Sequence, residues 1–294
     1  MMAPRRARAT HGKPRDPQSA GQLEKLVRAW AREHQLAEKR VRDWVSCMAI
    51  GGALTRTSGE SPQSPFSIKG GIALELRRPG MVRATRDLDL TYHGQHVDMT
   101  MALEDALAPF GRFRFQRSGQ PLQMERTATV RVEVGVRFDG STWGSVPLDI
   151  NRSDGSSAEI EMVRALDLRS RFGIDGPREL PCLSLRYHLA HKLHSVTRPD
   201  TADHPNDRVQ DLVDLLLFRG ELTDSLRVGA LRSACIETFA ARATHRWPPL
   251  LSPPGRWVEP FARLAREVGV GPEGLEEAVE IVRAAFAAID SHMA

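Results

Sequence analysis

Two aspartates lie one residue apart in the stretch RDLDLTY, where Asp87 and Asp89 alternate with leucines. In a β-strand, side chains two positions apart project from the same face, so these carboxylates would meet in one place. Like charges held close together repel each other unless a cation lies between them. Mg²⁺ prefers carboxylate oxygens combined with substrate phosphates, so the pair predicts a site for divalent metal ions. The structural alternative is an exposed pair that Arg83 or Arg86 neutralises.

A glycine pair precedes these aspartates in the segment FSIKGGIALELR, which is typical of a short strand, a turn and a helix. Gly70 and Gly71 have no side chains, so phosphate oxygens could approach the backbone, and the following helix N-terminus would add amide donors. Lys69 is predicted to reach the same phosphates, with a strand-edge lysine as the alternative. The chain contains neither a GxxxxGK[ST] loop nor a GxGxxG dinucleotide motif, and a plain strand-to-helix turn also stays open.

A third carboxylate occurs in the run VPLDINRS, where Asp149 lies between Leu148 and Ile150. In a strand, its side chain would face away from these apolar neighbours. If that strand lies beside the one with the aspartate pair, three carboxylates converge, which suits two metal ions about 3.5–4 Å apart. An isolated surface aspartate at the end of a strand is the alternative.

Charged residues recur at helical spacing in two later segments, YHLAHKLHSV and NDRVQDLVDLLL. Lys192 in the first segment could neutralise a triphosphate, and an exposed helix lysine is the alternative. In the second segment, Asp207, Asp211 and Asp214 fall on one stripe, with Arg208 beside Asp211. Repulsion along this stripe requires cationic partners, which Lys192, Arg208 or a substrate could supply, whereas a solvated acidic face is the alternative.

The elements that would position these residues follow from the hydrophobic pattern. Residues 21–50 are predicted to form a helix, and the alternation in TATVRVEVGVRFDG predicts a strand between two other β-rich runs. After about residue 180 the pattern becomes a series of helices. The sequence therefore predicts an α/β (α+β) fold with a mixed lobe followed by a helical lobe. The expected divisions are a disordered basic arm at 1–20, a first domain at 21–175 and a helical domain at 176–294.

Composition and charge limit the classes of protein to which the chain can belong. With 294 residues it can bury a sizeable core, and no apolar run approaches the roughly 20 residues of a membrane span. Three cysteines, Cys47, Cys182 and Cys235, lack CxxC spacing, which predicts reduced thiols in a cytoplasmic protein without a membrane partner. The net charge of +4 permits a polyanionic partner, although part of the excess lies in the N-terminal arm.

Taken in order, SIKGGIALELR, RATRDLDL and VPLDI resemble the nucleotidyltransferase superfamily of polymerase-β type. More closely, KGGIAL followed by RATRDLDL is similar to the AbiEii family of nucleotidyltransferase toxins. YHLAHKLHSV and DRVQDLVDLLL extend the resemblance, which covers roughly residues 65–220. The chain departs from the family's pattern at Ile72, where a small hydroxyl residue is usual, and at Gln210, where arginine is common. Ser67 or a backbone amide would then supply the missing phosphate contact.

The resemblance implies a polymerase-β-like lobe with a mixed sheet, and an enzyme that transfers a nucleoside monophosphate from an NTP to a hydroxyl group. Ligands for Mg²⁺ or Mn²⁺ are expected at Asp87, Asp89 and Asp149. Catalytic residues are expected at Asp87, Asp89, Lys192 and Asp211. Nucleotide-binding residues are expected at Lys69, Gly70, Gly71 and Arg208.

Members of the AbiEii family are toxins of toxin–antitoxin systems, and some modify the acceptor end of tRNA, which blocks aminoacylation. The resemblance therefore implies an RNA acceptor, with tRNA expected, together with an antitoxin partner and inhibition of translation and growth. Two alternatives stay open. One is a nucleotidyltransferase that modifies a hydroxyl group of a protein or small molecule. The other is a non-enzymatic RNA-binding regulator that has lost catalytic activity because its glycine motif is altered.

Overall fold

A seven-stranded mixed sheet organises the first part of the chain. The structure, a computed structural model, describes residues 16–55, 64–83, 85–94, 98–124, 128–154, 159–272 and 274–292. The strands are β1 (Phe66–Ile68), β2 (Leu88–Tyr92), β3 (Phe113–Gln123), β4 (Val130–Phe138), β5 (Ser141–Arg152), β6 (Ile160–Arg164) and β7 (Glu179–Leu183). Across the sheet they follow the order β3-β4-β5-β2-β1-β7-β6. β2 pairs with β5 in parallel, as β1 does with β7, and the other neighbours are antiparallel.

The clearest strand of the sequence is β4, and its alternation determines which face meets the core. Val132, Val134 and Val136 are buried, whereas the residues between them lie on a polar and partly exposed face. Because side chains alternate along a strand, this pattern gives the sheet one apolar face and one polar face at this end. Arg131, at the start of the polar face, lies on the same strand as this apolar row.

The first part of the chain also contains helices, some of which pack on the apolar face of the sheet. They are α1 (Ala20–Glu33), α2 (Glu38–Leu54), α3 (Gly70–Arg77), α4 (Met99–Ala106) and α5 (Leu168–Phe172). Both α1 and α2 contact β5, and their buried side chains, among them Leu23, Val45 and Ile50, join the sheet in one hydrophobic cluster.

A second hydrophobic cluster holds the later helices together. They are α6 (Leu185–Thr197), α7 (Val209–Leu217), α8 (Arg219–Leu222), α9 (Val228–Arg242), α10 (Val258–Val268) and α11 (Leu275–Ser291). Leu193, Leu212 and Phe261 are fully buried in it, and Leu74 and Val82 from the first part of the chain join them. The second cluster therefore continues into the segment that links the glycine turn to β2.

Some expected boundaries differ from the observed ones. The single helix expected over 21–50 is wrong, because α1 and α2 are separate and Gln35 between them adopts a φ of +55°. β7 follows residue 175, so the sheet extends past the expected end of the first domain, and the division into domains stays a prediction. Residues 1–15 of the expected arm lie outside the described residues. No helix in the described ranges has the length and apolar character needed to cross a membrane.

Candidate active site

The register of the central strands brings the predicted carboxylates together. β2 lies between β1 and β5, and its parallel pairing with β5 places Asp89 directly opposite Asp149. Paired residues of a parallel register project from the same face, so both side chains lie on one side of the sheet. Asp87 comes one residue before β2, which begins at Leu88. The two strands are therefore neighbours, as convergence of the three carboxylates requires.

The glycine turn packs directly against Asp89. Gly70 begins α3 with a φ of +62°, a left-handed conformation that glycine adopts without strain. A Cβ at this position would lie 1.8 Å from Oδ2 of Asp89, so no larger side chain fits while the carboxylate keeps its place. The amide of Lys69 also donates a 2.9 Å hydrogen bond to the carbonyl oxygen of Asp89. The backbone of the turn therefore borders the carboxylate, as a phosphate-binding turn beside a metal site requires.

Asp89 is a carboxyl group whose ionised form needs a cation. Burial raises its pKa to about 6, and the negative charges of Asp87 and Asp149 contribute to this rise. The ammonium groups of Lys69 and Lys192 oppose the rise without cancelling it. A divalent cation would favour the ionised form, and carboxylate oxygens are the type of donor that Mg²⁺ and Mn²⁺ prefer.

Asp149 and Asp87 share one arginine. Arg131 lies opposite Asp149 in the antiparallel pair of β4 and β5, and its Nε and Nη2 donate to the two carboxylate oxygens at 2.6 Å each. Its Nη2 also lies 3.9 Å from Oδ2 of Asp87, whose Oδ1 accepts a 2.9 Å hydrogen bond from the Thr85 hydroxyl. In the ranges described, no three His, Cys, Asp or Glu side chains form a group arranged for a metal ion. With both oxygens of Asp149 bonded to Arg131, the three-carboxylate metal site stays a prediction.

Lys69 lies beside the carboxylates with a neutral partner. Its Nζ donates a 2.9 Å hydrogen bond to Oδ1 of Asn151, which comes two residues after Asp149 on β5. Burial lowers the pKa of Lys69, and the charge of Asp89 opposes this effect. A lysine with an amide partner can exchange that partner for a phosphate oxygen, so its position is compatible with the predicted role in nucleotide binding.

Lys192 lies instead in a buried cluster of charges between α6 and α7. Its Nζ donates to Oδ1 of Asp211 at 2.7 Å and to Oδ2 of Asp214 at 2.8 Å. Burial alone would lower the pKa of Lys192, but the two carboxylates outweigh burial and raise it. Nε of Arg83 lies 3.5 Å from Oδ2 of Asp214. Lys192 and Arg83 are therefore the cationic partners of Asp211 and Asp214. The third aspartate of the stripe, Asp207, pairs instead with Arg256. Both carboxylates bonded to Lys192 occupy its ammonium group.

The remaining predicted positions have distinct surroundings. Arg208 precedes the first residue of α7. Burial alone would raise the pKa of Asp211, but the nearby positive charges, Arg208 among them, lower that pKa. Ile72 is buried in the first hydrophobic cluster, which explains why an apolar residue follows the glycine pair. Ser67 is engaged with His93, its Oγ lying 2.8 Å from Nε2, so a backbone amide is the better source of the missing phosphate contact.

Sequence reasoning did not identify Arg131, Asn151 or Thr85 as residues of this site. The alternation of β4 predicts that Arg131 is on the polar face, but its pairing with Asp149 depends on a register that the sequence does not specify. Thr85 packs on the glycine turn, since a Cβ at Gly71 would lie 2.7 Å from the Cβ of Thr85. Gly71 is therefore needed for close packing of the turn against the segment before β2.

Comparisons with known proteins bear on the fold and on the family of this chain. A search of curated protein sequences found no match. Among solved structures, MenT4, a nucleotidyltransferase toxin from Mycobacterium tuberculosis, is similar at 16% identity and a TM-score of 0.57, over 94% of this chain and 91% of that chain. JHP933 from Helicobacter pylori is similar at 14% identity and a TM-score of 0.45, over 86% of this chain and 93% of that chain.

The likeness to MenT4 concerns the fold, and the family follows from a match to the sequence itself. A family model described as the nucleotidyl transferase AbiEii toxin of a Type IV toxin–antitoxin system matches residues 53–289. This match covers most of the 294 residues and includes the glycine turn, the three carboxylates and the later charged helices. The chain therefore belongs to the AbiEii family, which makes it a nucleotidyltransferase toxin of the Type IV toxin–antitoxin class, and this family implies an NTP substrate and an antitoxin partner.

Proposed function

We propose that this toxin is a Mg²⁺-dependent enzyme of the cytoplasm that transfers a nucleoside monophosphate from an NTP to the 3′ hydroxyl of an RNA. The acceptor end of tRNA is the proposed target, and its modification would inhibit translation and growth. The observation that carries the proposal is the packing of the Gly70 turn against Asp89, with Asp149 in register on the next strand. A phosphate-binding turn and a carboxylate cluster thus share one face of the sheet.

We assign metal binding to Asp87, Asp89 and Asp149. The oxygen donors of this set and the raised pKa of Asp89 support a divalent cation, either Mg²⁺ or Mn²⁺. When bound, such ions neutralise the triphosphate and polarise the phosphate that is attacked. Lys69 and the backbone amides of Gly70 and Gly71 would hold the phosphates of the NTP, as the short contact between turn and carboxylate supports.

Lys192 and Asp211 would act on the site through their neighbours. Lys192 is close enough to Asp89 to lower its pKa, yet its ammonium is already bonded to Asp211 and Asp214. We therefore propose that this pair holds α6 and α7 against the site, with Arg208 adding positive charge near Asp211. In this role the pair fixes the position of the acceptor hydroxyl without contributing a free cation.

The proposed reaction is an in-line displacement at the α-phosphorus. The acceptor hydroxyl oxygen forms a bond to that phosphorus, the bond to the bridging oxygen of the β-phosphate breaks, and pyrophosphate leaves. The hydroxyl proton passes to an Oδ of Asp149, which lies across from Asp89 on the same face. The chain's contribution is mostly positioning and charge neutralisation, as is usual for phosphoryl transfer.

Labelling of total tRNA tests the proposal. The purified toxin is incubated with tRNA, Mg²⁺ and each α-³²P-labelled NTP in turn, and the products are sequenced at their 3′ ends. We expect a label on RNA that RNase removes, that EDTA prevents and that the Asp89→Asn variant does not produce. A label on protein that survives RNase would instead support a protein acceptor, and no label with any acceptor would contradict transfer.

A further inference from the structure

Arg131 is a partly exposed cation of the carboxylate site. Its side chain is 40% exposed, while it bonds both oxygens of Asp149 at 2.6 Å and lies 3.9 Å from Asp87. The guanidinium therefore lies against two of the three proposed metal ligands. An arginine presents a planar set of donors that binds a carboxylate or a phosphate in the same two-point manner.

Of the two lysines predicted to bind phosphate, Lys192 is less accessible than Arg131. Lys192 is 5% exposed and bonded to two aspartates, and Lys69 is bonded to Asn151. The two bonds from Arg131 to Asp149 are charge-assisted, so they open when the guanidinium gains another two-point acceptor and the carboxylate gains another cation. A phosphate of the NTP and a divalent metal ion supply these two replacements. Exposed side chains also change rotamer within nanoseconds, far faster than a catalytic cycle.

We propose that Arg131 exchanges Asp149 for the NTP: it holds the carboxylate until metal and nucleotide arrive, and its guanidinium then binds a phosphate of the NTP. The exchange frees Asp149 to bind a metal ion through one oxygen and to accept the hydroxyl proton at the other, and it supplies the triphosphate with a cation. Arg131 thus becomes a nucleotide-binding residue of this site. The inference rests on the proposed function, because it takes the ligands of the site to be a divalent metal and a nucleoside triphosphate.

Two binding measurements with opposite expected signs test this exchange. Mn²⁺ alone is titrated into the metal-free toxin, with free Mn²⁺ followed by electron paramagnetic resonance. Arg131→Ala should bind Mn²⁺ at least about threefold more tightly than the wild type, since Asp149 no longer has a competing partner. With Mn²⁺ present, Arg131→Ala should bind α,β-methylene analogues of the NTPs about tenfold more weakly than the wild type. The affinity of Arg131→Lys for these analogues should lie between those of the wild type and Arg131→Ala.

Arg137→Ala is the matched control, because Arg137 is an exposed arginine on the same face of β4 and donates to the carbonyl oxygen of Gly140. It should change neither affinity. Weaker binding of both Mn²⁺ and nucleotide in Arg131→Ala would assign Arg131 a merely structural role and overturn the exchange, as would unchanged nucleotide binding. A wild type that binds the analogues but labels no RNA would contradict the proposed acceptor and leave the Arg131 results decisive.

Discussion

Two regions of this toxin contain the same types of charged residue but differ in how far these residues are buried. The sheet site consists of Lys69, Asp87, Asp89, Arg131 and Asp149. The helix cluster consists of Arg83, Lys192, Asp211 and Asp214. In the helix cluster Lys192 is 5% exposed and Asp214 is fully buried, whereas in the sheet site the side chains of Asp87 and Arg131 are 37% and 40% exposed.

The two regions also differ in their balance of charges, which supports ligand binding at the sheet site. The helix cluster has two cations for two carboxylates, and the bonds from Lys192 neutralise both acids within the fold. The sheet site has three carboxylates for two cations, and the pKa of Asp89 stays raised. We therefore propose that the helix cluster stabilises the fold and that cations from outside complete the sheet site. Variants of the two regions would separate these roles or show that they overlap.

Asp89→Asn should have the largest effect, because it removes a carboxylate from the sheet site while keeping its shape. We expect nucleotide transfer to fall by about 10²–10³-fold, the size typical of losing one group that stabilises charge in a transition state. The stability of the metal-free protein should not decrease. Asp105→Asn, at an exposed position of α4, is the control and should retain full transfer. Full activity in Asp89→Asn would end the assignment of this site.

Lys192→Met should affect stability most, because it leaves two buried aspartates without their ammonium partner. Breaking a buried ion pair in this way costs about 3–5 kcal/mol of the free energy of unfolding, measurable by urea denaturation. The control is Lys39→Met, since Lys39 is 69% exposed and pairs with Asp43 one helical turn away. That change should cost less than about 1 kcal/mol. Equal stabilities for both variants would show that the helix cluster does not support the fold.

The pH dependence of stability should differ in sign between the two regions. The pKa of Asp89 rises from 3.8 to about 6 on folding, so the folded state binds this proton more tightly and loses stability as the pH rises between those values. Asp211 behaves oppositely, because its pKa is lowered and its contribution is lost as the pH falls.

In EDTA at about pH 7.5, Asp89→Asn should therefore be more stable than the wild type by up to about 3 kcal/mol, and this gain should vanish near pH 4. Urea denaturation at the two pH values measures it. A gain of equal size at both values would show that the proton on Asp89 is not its cause.

Gly70→Ala should have the smallest of these effects on stability and should still damage the sheet site. Both Gly70 and Gly80 have positive φ, at +62° and +78°, but a Cβ meets Asp89 at Gly70 and nothing within 4 Å at Gly80. Comparison with Gly80→Ala therefore cancels the cost of placing an alanine at a positive φ. Gly70→Ala should be less stable than Gly80→Ala by about 1–3 kcal/mol, the usual cost of overpacking, as thermal denaturation would measure. Transfer should be reduced in Gly70→Ala alone.

Local patterns in the sequence predicted the polar and apolar faces of the strands, and the comparisons confirmed the family and the fold class. The positions of Asp87, Asp89 and Gly70 within their elements follow from period-two alternation and from turn chemistry. The parallel pairing of β2 with β5 joins residues 60 positions apart, Asp89 and Asp149, and no local preference specifies such a pairing.

The partners of the charged residues were the least predictable part. Lys192 was expected at the triphosphate, yet a helix face seen in the sequence does not reveal that α7 packs two aspartates against it. Arg131 was not singled out at all, because only the strand register places it on Asp149. Which acid neutralises which base is determined by tertiary packing and by burial, so it requires coordinates.

The turn between β4 and β5 offers a place to attach a probe. The pairing of these strands is regular from Val130 to Val136 and becomes irregular between Val136 and Arg137, beside the turn at Asp139 and Gly140. From Ser141 to Asp149 the strand rises about 3.3 Å per residue, which separates the turn from the carboxylates by roughly 25 Å. A fluorophore or affinity tag inserted there would leave the reacting groups undisturbed. The protein could then be immobilised or observed during nucleotide transfer.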